Sequence, residues 1–195
     1  MNYDLSKLIP DIRYLDEIRE VLYDQKFAKN SPDMDLYYMY RNLKQEGGLK
    51  YNITVIPAKM LGCEFIKTAG HYHVGPEKEL YNVVEGEAIF LMQKGNEKKI
   101  EDVYAVKAKA GDSVIINSFY GHVTINPSNN ELKTQDWSPV ETKSDYSLFK
   151  KMRGACYFYT TKGWVKNKNY KSVPKLRFEE PIKDFPKDLS FLKTN

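Results

Sequence analysis

The sequence predicts an all-β protein, folded as a β-sandwich or a β-barrel. Between Lys50 and Tyr159 it runs as short segments of strand-forming residues, separated by turns that contain glycine or asparagine. Strands of this length and spacing are typical of sandwiches and barrels. The chain also has 15 tyrosines and 9 phenylalanines against 2 tryptophans, and aromatic side chains favour strands.

Ahead of the predicted sheet, the sequence indicates one helix and one strand. Residues 11–25 carry the best helical pattern in the chain, with acidic residues at the favourable N-terminal end. Its apolar stripe consists of Leu15, Ile18, Val21 and Leu22. After a break at 30–33, a strand is expected at 36–40 and a turn at 45–48.

The strands of the predicted barrel follow in order along the chain. They are expected at residues 51–56, 63–68, 80–84, 88–93, 104–107, 113–117, 122–126 and 155–160. The polar stretch 128–154 is predicted to be a long loop over the barrel mouth. After Ser172, prolines among charged residues predict an extended C-terminal arm, on the surface or on a partner subunit. One domain is expected over residues 1–195, with an N-terminal extension (1–48), the barrel (50–160) and the arm (161–195).

Composition excludes several classes of function. The net charge is +4 and the pI is about 8.8, but the excess lysines are scattered or lie in the tail. Nucleic-acid binding is therefore not expected, whereas an anionic small substrate suits a mildly basic protein. No apolar run is long enough for a membrane helix, the N-terminus has no signal-peptide core, and Cys63 and Cys156 make no disulfide framework. We expect a cytoplasmic protein without membrane or nucleic-acid partners.

The placement of the histidines is the strongest functional signal. The chain has three: His71 and His73, two residues apart, and His122. On a strand, the first two point to one face, so that both imidazoles can reach one ion. Glu79 follows after a short turn. Three imidazoles and one carboxylate suit Fe, Zn, Mn, Ni or Co better than Ca or Mg. The sequence therefore predicts one divalent transition metal.

The residues around these positions resemble a known family. Gly70-His71-Tyr72-His73, with Glu79 and Gly86, fits the first motif of the cupin β-barrels, and Gly111 to Asn126 resembles the second, with Asn117 where proline is usual. The stretch from Thr68 to His73, followed by Glu79-Leu80-Tyr81, is similar to the archaeal cupin-type glucose-6-phosphate isomerases. The likeness extends from about Leu36 to Tyr159. It implies a jelly-roll-like cupin barrel and a homodimer.

The resemblance also implies roles for individual residues. The metal ligands would be His71, His73, Glu79 and His122. The substrate phosphate would be held near Tyr37, Thr54, Thr68 and the backbone of Gly70. The catalytic residues would be Glu79, Tyr81 beside the sugar, and Tyr146. Hydroxyls and a backbone N–H are suitable donors to phosphate oxygens.

Two features qualify this assignment. By strict strand alternation, Thr68 and Gly70 face away from His71 and His73, so both pairs reach one pocket only if the chain kinks, and Gly70 is the residue that permits a kink. Some family members also carry a further histidine near the sugar. Here the corresponding region has no histidine, and Ser144 falls where that residue is expected.

Three functions are compatible with this pattern. The leading hypothesis is an isomerase that interconverts glucose 6-phosphate and fructose 6-phosphate by hydrogen transfer between C1 and C2, either through a base such as Glu79 or by a metal-assisted hydride shift. An Fe(II)-dependent cupin dioxygenase uses a comparable ligand set and predicts an apolar pocket. A non-catalytic sugar-binding cupin is favoured by the missing histidine.

Overall fold

Short extended segments make up most of the structure. The computed structural model describes residues 3–193. Its strands are β1 (Asp11–Tyr14), β2 (Asp35–Glu46), β3 (Leu49–Ile56), β4 (Met60–Leu61), β5 (Glu64–Phe65), β6 (Tyr72–His73), β7 (Glu79–Glu85), β8 (Glu87–Gly95), β9 (Ile100–Lys109), β10 (Ser113–Ile116), β11 (Gly121–Ile125), β12 (Leu132–Pro139), β13 (Ser144–Asp145), β14 (Tyr157–Thr160), β15 (Gly163–Lys166) and β16 (Arg177–Glu179). The α-helices are α1 (Gln25–Asn30) and α2 (Ser147–Lys151).

Of the four sheets formed by residues 3–193, the two with the longest strands enclose the core. One has six strands in the order β1-β2-β3-β12-β7-β10, and the other has four in the order β11-β8-β9-β16. Side chains from both sheets meet between them, for example the rings of Tyr81 on β7 and Phe90 on β8, whose centroids lie 5.2 Å apart. The all-β, jelly-roll-like class predicted from the sequence is confirmed.

Strand β3 shows how alternation builds both a core and a site. Tyr51 and Ile53 face outward and pack in a second apolar cluster with Trp137 and the arm residue Leu192. The intervening Asn52 and Thr54 face the space between the sheets and line its cavity. Since successive strand residues point to opposite faces, one short strand supplies packing on one side and polar groups on the other.

The helix predicted at residues 11–25 is wrong. The segment forms β1 and two 3-10 turns, Leu15–Glu17 and Arg19–Val21, and the first α-helix begins only at Gln25. Its apolar residues are nevertheless buried, with Leu15 and Ile18 at most 1% exposed. Leu15, Ile18 and Val21 are three residues apart, which fits the three-residue period of 3-10 turns better than an α-helix. The pattern predicted burial correctly and the backbone incorrectly.

The long loop predicted at 128–154 is also wrong. Strand β12 occupies much of it and lies inside the six-stranded sheet, paired with β3 and β7. Its polar residues obscured it in the sequence, because they face a polar cavity rather than solvent. Strand β13 and helix α2 occupy the remainder.

The C-terminal arm connects the edges of the two sheets. Strand β16 pairs in parallel with β9 of the four-stranded sheet. Further along, Ile182 and Ser113 exchange two backbone hydrogen bonds of 2.7 and 2.8 Å, which attaches the arm to the other sheet. An extended arm was predicted, and here it lies on its own chain. None of the helices within residues 3–193 is long and apolar enough to span a membrane.

Candidate active site

The four predicted metal ligands come together between the sheets. His71, His73, Glu79 and His122 each offer a donor atom, and these atoms all lie within 4.8 Å of one another. The closest rings are those of His71 and His122, with centroids 4.4 Å apart. Glu79 Oε2 lies 3.3 Å from His73 Nε2 and 3.4 Å from His122 Nε2. Residues from three separate strands and one loop therefore converge on one point.

The protonation of the cluster suits a cation. Burial lowers the pKa of His71 to about 4 and that of His122 well below its usual value, so both rings are neutral. Burial alone would raise the pKa of Glu79, but the contact with His73 and the charge of the nearby histidines lower that pKa to about 2. Neutral imidazoles and an ionised carboxylate are the forms that bind metal.

The polar contacts of His73 and Glu79 also favour metal binding. His73 Nδ1 lies 2.9 Å from the Glu77 carbonyl, which leaves Nε2 facing the other donors. Such an outer contact is typical of metal-binding histidines, because it fixes the ring and its tautomer. Glu79 Oε2 and His122 Nδ1 are buried and have no hydrogen-bond partner within residues 3–193. A bound cation would satisfy the carboxylate oxygen, so the donor set fits a divalent transition metal.

A cavity of about 460 Å³ opens beside the cluster. It is lined by every site residue predicted from the sequence: Tyr37, Thr54, Thr68, Gly70, His71, His73, Glu79, Tyr81, His122 and Tyr146. The structure thus brings the proposed phosphate-binding, catalytic and metal-binding groups to one space. Their roles stay predictions, since a shared cavity does not assign a function to each residue.

The kink expected at Gly70 is present. Its φ of +78° lies in the left-handed region, which glycine adopts most easily. A Cβ on this residue would lie 2.6 Å from Val123 Cγ2, so the close approach of the two segments also requires glycine. The kink allows Thr68 and Gly70 to share the cavity with His71 and His73, against simple strand alternation.

Two tyrosines lie beside the four candidate metal ligands. The Tyr81 hydroxyl is 3.5 Å from His122 Nε2, and burial raises the pKa of Tyr81 well above 10, so the phenol keeps its hydrogen. The Tyr146 ring lies 5.6 Å from that of His71. Ser144, which replaces the expected histidine, pairs with His73 through the β13–β6 register and lines the cavity.

Sequence reasoning missed a buried acid in the cavity. Asp136 on β12 is 4% exposed and accepts a hydrogen bond of 2.6 Å from Asn52 Nδ2. Burial first, and then the charge of Glu79, raise the pKa of Asp136 well above its usual range. The alternation of side chains along β12 and β3 could have revealed Asp136, because it is paired with Asn52 across these two strands. It was hidden because residues 128–154 were predicted to be a loop.

Cationic side chains at the cavity were also missed. Arg41, Lys50 and Lys143 contribute to its lining. Lys50 Nζ donates to the Thr142 carbonyl at 2.8 Å, while the Arg41 side chain is 51% exposed and lies 3.3 Å from Asp11. Their positive charge favours an anionic ligand in the cavity.

Comparison with solved structures gives partial matches. A predicted oxalate decarboxylase from Thermotoga maritima is 18% identical, covers 70% of this chain and 96% of its own, and aligns with a TM-score of 0.44. An oxalate oxidase in complex with glycolate is 14% identical, covers 52% of this chain and 49% of its own, and aligns with a TM-score of 0.42. This chain therefore spans about half the length of the oxalate oxidase.

The two facing sheets, with a His–Glu cluster between them, define a cupin-type protein. A family model described as Glucose-6-phosphate isomerase (GPI) matches residues 16–175. A protein named glucose-6-phosphate isomerase, from Thermococcus kodakarensis, is 24% identical over 144 residues, which are 71% of this chain and 74% of that one. The chain belongs to the glucose-6-phosphate isomerase family. This confirms the resemblance seen in the histidine motif, and with it the prediction of an enzyme.

Proposed function

We propose that this protein interconverts glucose 6-phosphate and fructose 6-phosphate, using one divalent transition metal held by His71, His73, Glu79 and His122. The observation that carries the proposal is the convergence of those four side chains beside a polar cavity. Membership of the glucose-6-phosphate isomerase family supports the substrate. The metal would be Fe, Zn, Mn, Ni or Co, given the nitrogen-rich donor set.

The substrate phosphate is proposed to bind at the end of the cavity formed by Tyr37, Thr54, Thr68 and Gly70. Thr68 Oγ1 accepts a hydrogen bond of 3.0 Å from the Thr124 amide, which leaves its hydroxyl hydrogen free to donate. Hydrogen bonds from neutral groups to an ionised phosphate are stronger than those to a neutral acceptor. This end of the cavity therefore supplies donors suited to an anion.

The reaction moves hydrogen between C1 and C2 of an open-chain sugar. A divalent metal held by the four clustered side chains would supply Lewis-acid polarisation of the sugar. In one route, Glu79 accepts the proton from one carbon and returns it to the other. In the second route, the hydrogen moves directly between the carbons and no side chain carries it. Tyr81 and Tyr146 act in both as hydroxyl groups that orient the sugar beside the cluster.

The alternative of an Fe(II)-dependent dioxygenase predicts an apolar pocket. The cavity instead includes Arg41, Lys50, Asn52, Asp136 and Lys143. Such a lining suits a hydroxylated, charged substrate better than an apolar one. A non-catalytic sugar-binding protein would share the polar lining, and turnover separates it from the isomerase.

Turnover of fructose 6-phosphate, after EDTA treatment and addition of single metals, tests the proposal. We expect no activity in the stripped protein and recovery with at least one of the five metals. Unphosphorylated fructose serves as the control substrate, with kcat/KM lower by at least about a hundredfold. A protein that binds metal but turns over fructose 6-phosphate with none of them would contradict the isomerase.

Turnover in D₂O separates the two routes. Transfer through Glu79 allows exchange with solvent, so deuterium enters the product at the carbon that receives hydrogen. Direct transfer between C1 and C2 leaves the product unlabelled. Mass spectrometry of the sugar phosphate at low conversion measures the difference.

Three further expectations remain proposals. The chain is proposed to form one domain and to assemble as a homodimer in the cytoplasm. Light scattering at several protein concentrations tests the assembly: a mass near 22.7 kDa, that of one chain, would contradict the dimer.

A further inference from the structure

Arg13 lies behind the proposed phosphate-binding residues, in a part of the chain that precedes the residues matched by the family model. It is the cross-strand partner of Tyr37, in the pairing of β1 with β2. Tyr37 lines the active-site cavity, whereas Arg13 lines a second cavity of about 220 Å³ that shares Gly70 and Tyr146 with the first. Arg13 therefore reaches the active site through other side chains.

The Tyr37 hydroxyl faces one hydrogen-bond donor and one cation on the side away from the cavity. The Ala69 amide donates to its oxygen at 3.1 Å, and the positive charge of Arg13, the cross-strand partner of Tyr37, acts on the same phenol. A phenol has one hydrogen and two lone pairs. The Ala69 amide occupies one lone pair and the Arg13 cation repels the hydroxyl hydrogen, so this hydrogen is directed away from both and toward the cavity.

The Arg13 side chain is held in place on its other sides. Its Nη1 lies 2.6 Å from Glu17 Oε1, and the guanidinium carbon lies 5.9 Å from the centre of the Tyr146 ring. The side chain is 18% exposed. Burial raises the pKa of Tyr37, which keeps its phenol protonated at neutral pH. These contacts fix the cation beside Tyr37 and, with it, the direction of the hydrogen that Tyr37 can offer.

We propose that Arg13 is a positioning residue for phosphate recognition, which orients the Tyr37 hydroxyl as an obligate donor to a phosphate oxygen of the substrate. The inference rests on the proposed function, because it takes the phosphate to bind at Tyr37. A hydroxyl that is free to rotate must be ordered when the anion binds, whereas one fixed in advance is not. The fixed donor also disfavours a ligand group that can only donate, so it contributes to specificity.

Binding of glucitol 6-phosphate, which cannot isomerise, tests the inference by calorimetry on the metal-loaded protein. We expect Arg13→Gln and Tyr37→Phe each to raise its Kd about tenfold. For fructose 6-phosphate, KM is expected to rise by a similar factor while kcat stays within about twofold. Arg13→Lys keeps a donor and a charge, so it should stay within about threefold of the wild type.

Lys150→Gln is the matched control. Lys150 lines the same second cavity but is 56% exposed and pairs at 3.7 Å with Glu20. The exchange removes one positive charge there without altering the Ala69 amide or the Arg13 cation beside Tyr37, so Kd should change by less than about twofold. An equal effect of Lys150→Gln and Arg13→Gln would overturn the inference, since a general loss of positive charge near the cavity would then explain both.

The double variant Arg13→Gln/Tyr37→Phe separates action through Tyr37 from direct contact. If Arg13 acts through Tyr37, the double variant binds glucitol 6-phosphate about as weakly as Tyr37→Phe alone. A double variant whose Kd is raised by the product of the two single effects would overturn the inference. So would a wild-type protein that does not bind glucitol 6-phosphate. Because binding is measured without turnover, absence of isomerase activity in a wild type that binds the ester would contradict the proposed function alone.

Discussion

His71 and His122 are joined by two backbone hydrogen bonds. The amide of His71 donates to the carbonyl of His122 at 3.2 Å, and the amide of His122 donates to the carbonyl of His71 at 2.9 Å. This isolated antiparallel pair joins residues far apart in sequence and sets two imidazole rings 4.4 Å apart. The geometry of the candidate metal site is therefore fixed first by the main chain, and only then by side-chain packing.

Gly70→Ala should disturb this pair. An added Cβ would lie 2.6 Å from Val123 Cγ2 and 3.2 Å from the His122 carbonyl, and φ is +78°. We expect a loss of about 2–4 kcal/mol in unfolding free energy and weaker metal binding, by chemical denaturation and metal analysis. Gly48→Ala is the control: its φ is +82° and nothing lies within 4 Å of the added Cβ. If both variants bind metal equally weakly, the clash at Gly70 is not the cause.

His122→Ala should abolish stoichiometric metal binding, because it removes a buried donor that no neighbouring histidine can replace. Elemental analysis after dialysis against a weak chelator measures the result. Asp136→Asn is the matched change in the same cavity. Asp136 is buried beside Glu79 but is not one of the four clustered donors, so this variant should keep its metal. Retained metal in His122→Ala, or lost metal in Asp136→Asn, would show that the ligand set is wrong.

Metal affinity should rise with pH around neutrality. Burial would lower the pKa of His73, but the carboxylate of Glu79 outweighs it and raises that pKa above 6.5 in the metal-free protein. Below the raised value His73 holds a proton that competes with the metal, and above it the competition ends. Calorimetry with Mn²⁺ between about pH 6 and 8, in two buffers of different ionisation enthalpy, measures the protons released. Binding without proton release at the low end would contradict this assignment.

How far the sequence predicts the site depends on residue type. The three histidines are scarce and carry a distinctive spacing, so His71, His73 and His122 were identifiable without a structure. Asp136 and Arg41 were not, because common charged residues on strands have an ordinary solvated explanation. Only the pairing of β12 with β3 and β7 turns Asp136 toward the cavity. Pairing between distant segments is a tertiary property, which local pattern does not encode.

The accuracy of the predicted secondary structure also differs from one segment to another. Strands such as β8, with apolar residues on both faces, were predicted within one or two residues of their bounds, since propensity and burial agree there. At residues 11–25 local propensity and burial disagree. The apolar residues are buried as predicted, but the backbone forms 3-10 turns and a short strand. Tertiary contacts decide such a segment. Tyr23, for example, donates its amide to the buried carboxylate of Glu64 at 2.7 Å.

A buried ion pair anchors this N-terminal segment, and Lys67→Met should release it. Lys67 Nζ lies 3.2 Å from Glu64 Oε1 and donates to the Val21 carbonyl at 2.7 Å, and neither charged side chain is more than 5% exposed. Removing the cation leaves a buried carboxylate without its partner, so we expect a loss of about 3–5 kcal/mol in unfolding free energy. The pair Lys133–Glu85 has the same 3.2 Å separation at the surface, and Lys133→Met should cost less than about 1 kcal/mol. Urea denaturation of the three proteins measures both changes, and similar losses in the two variants would show that burial does not determine the energy of the Lys67 pair.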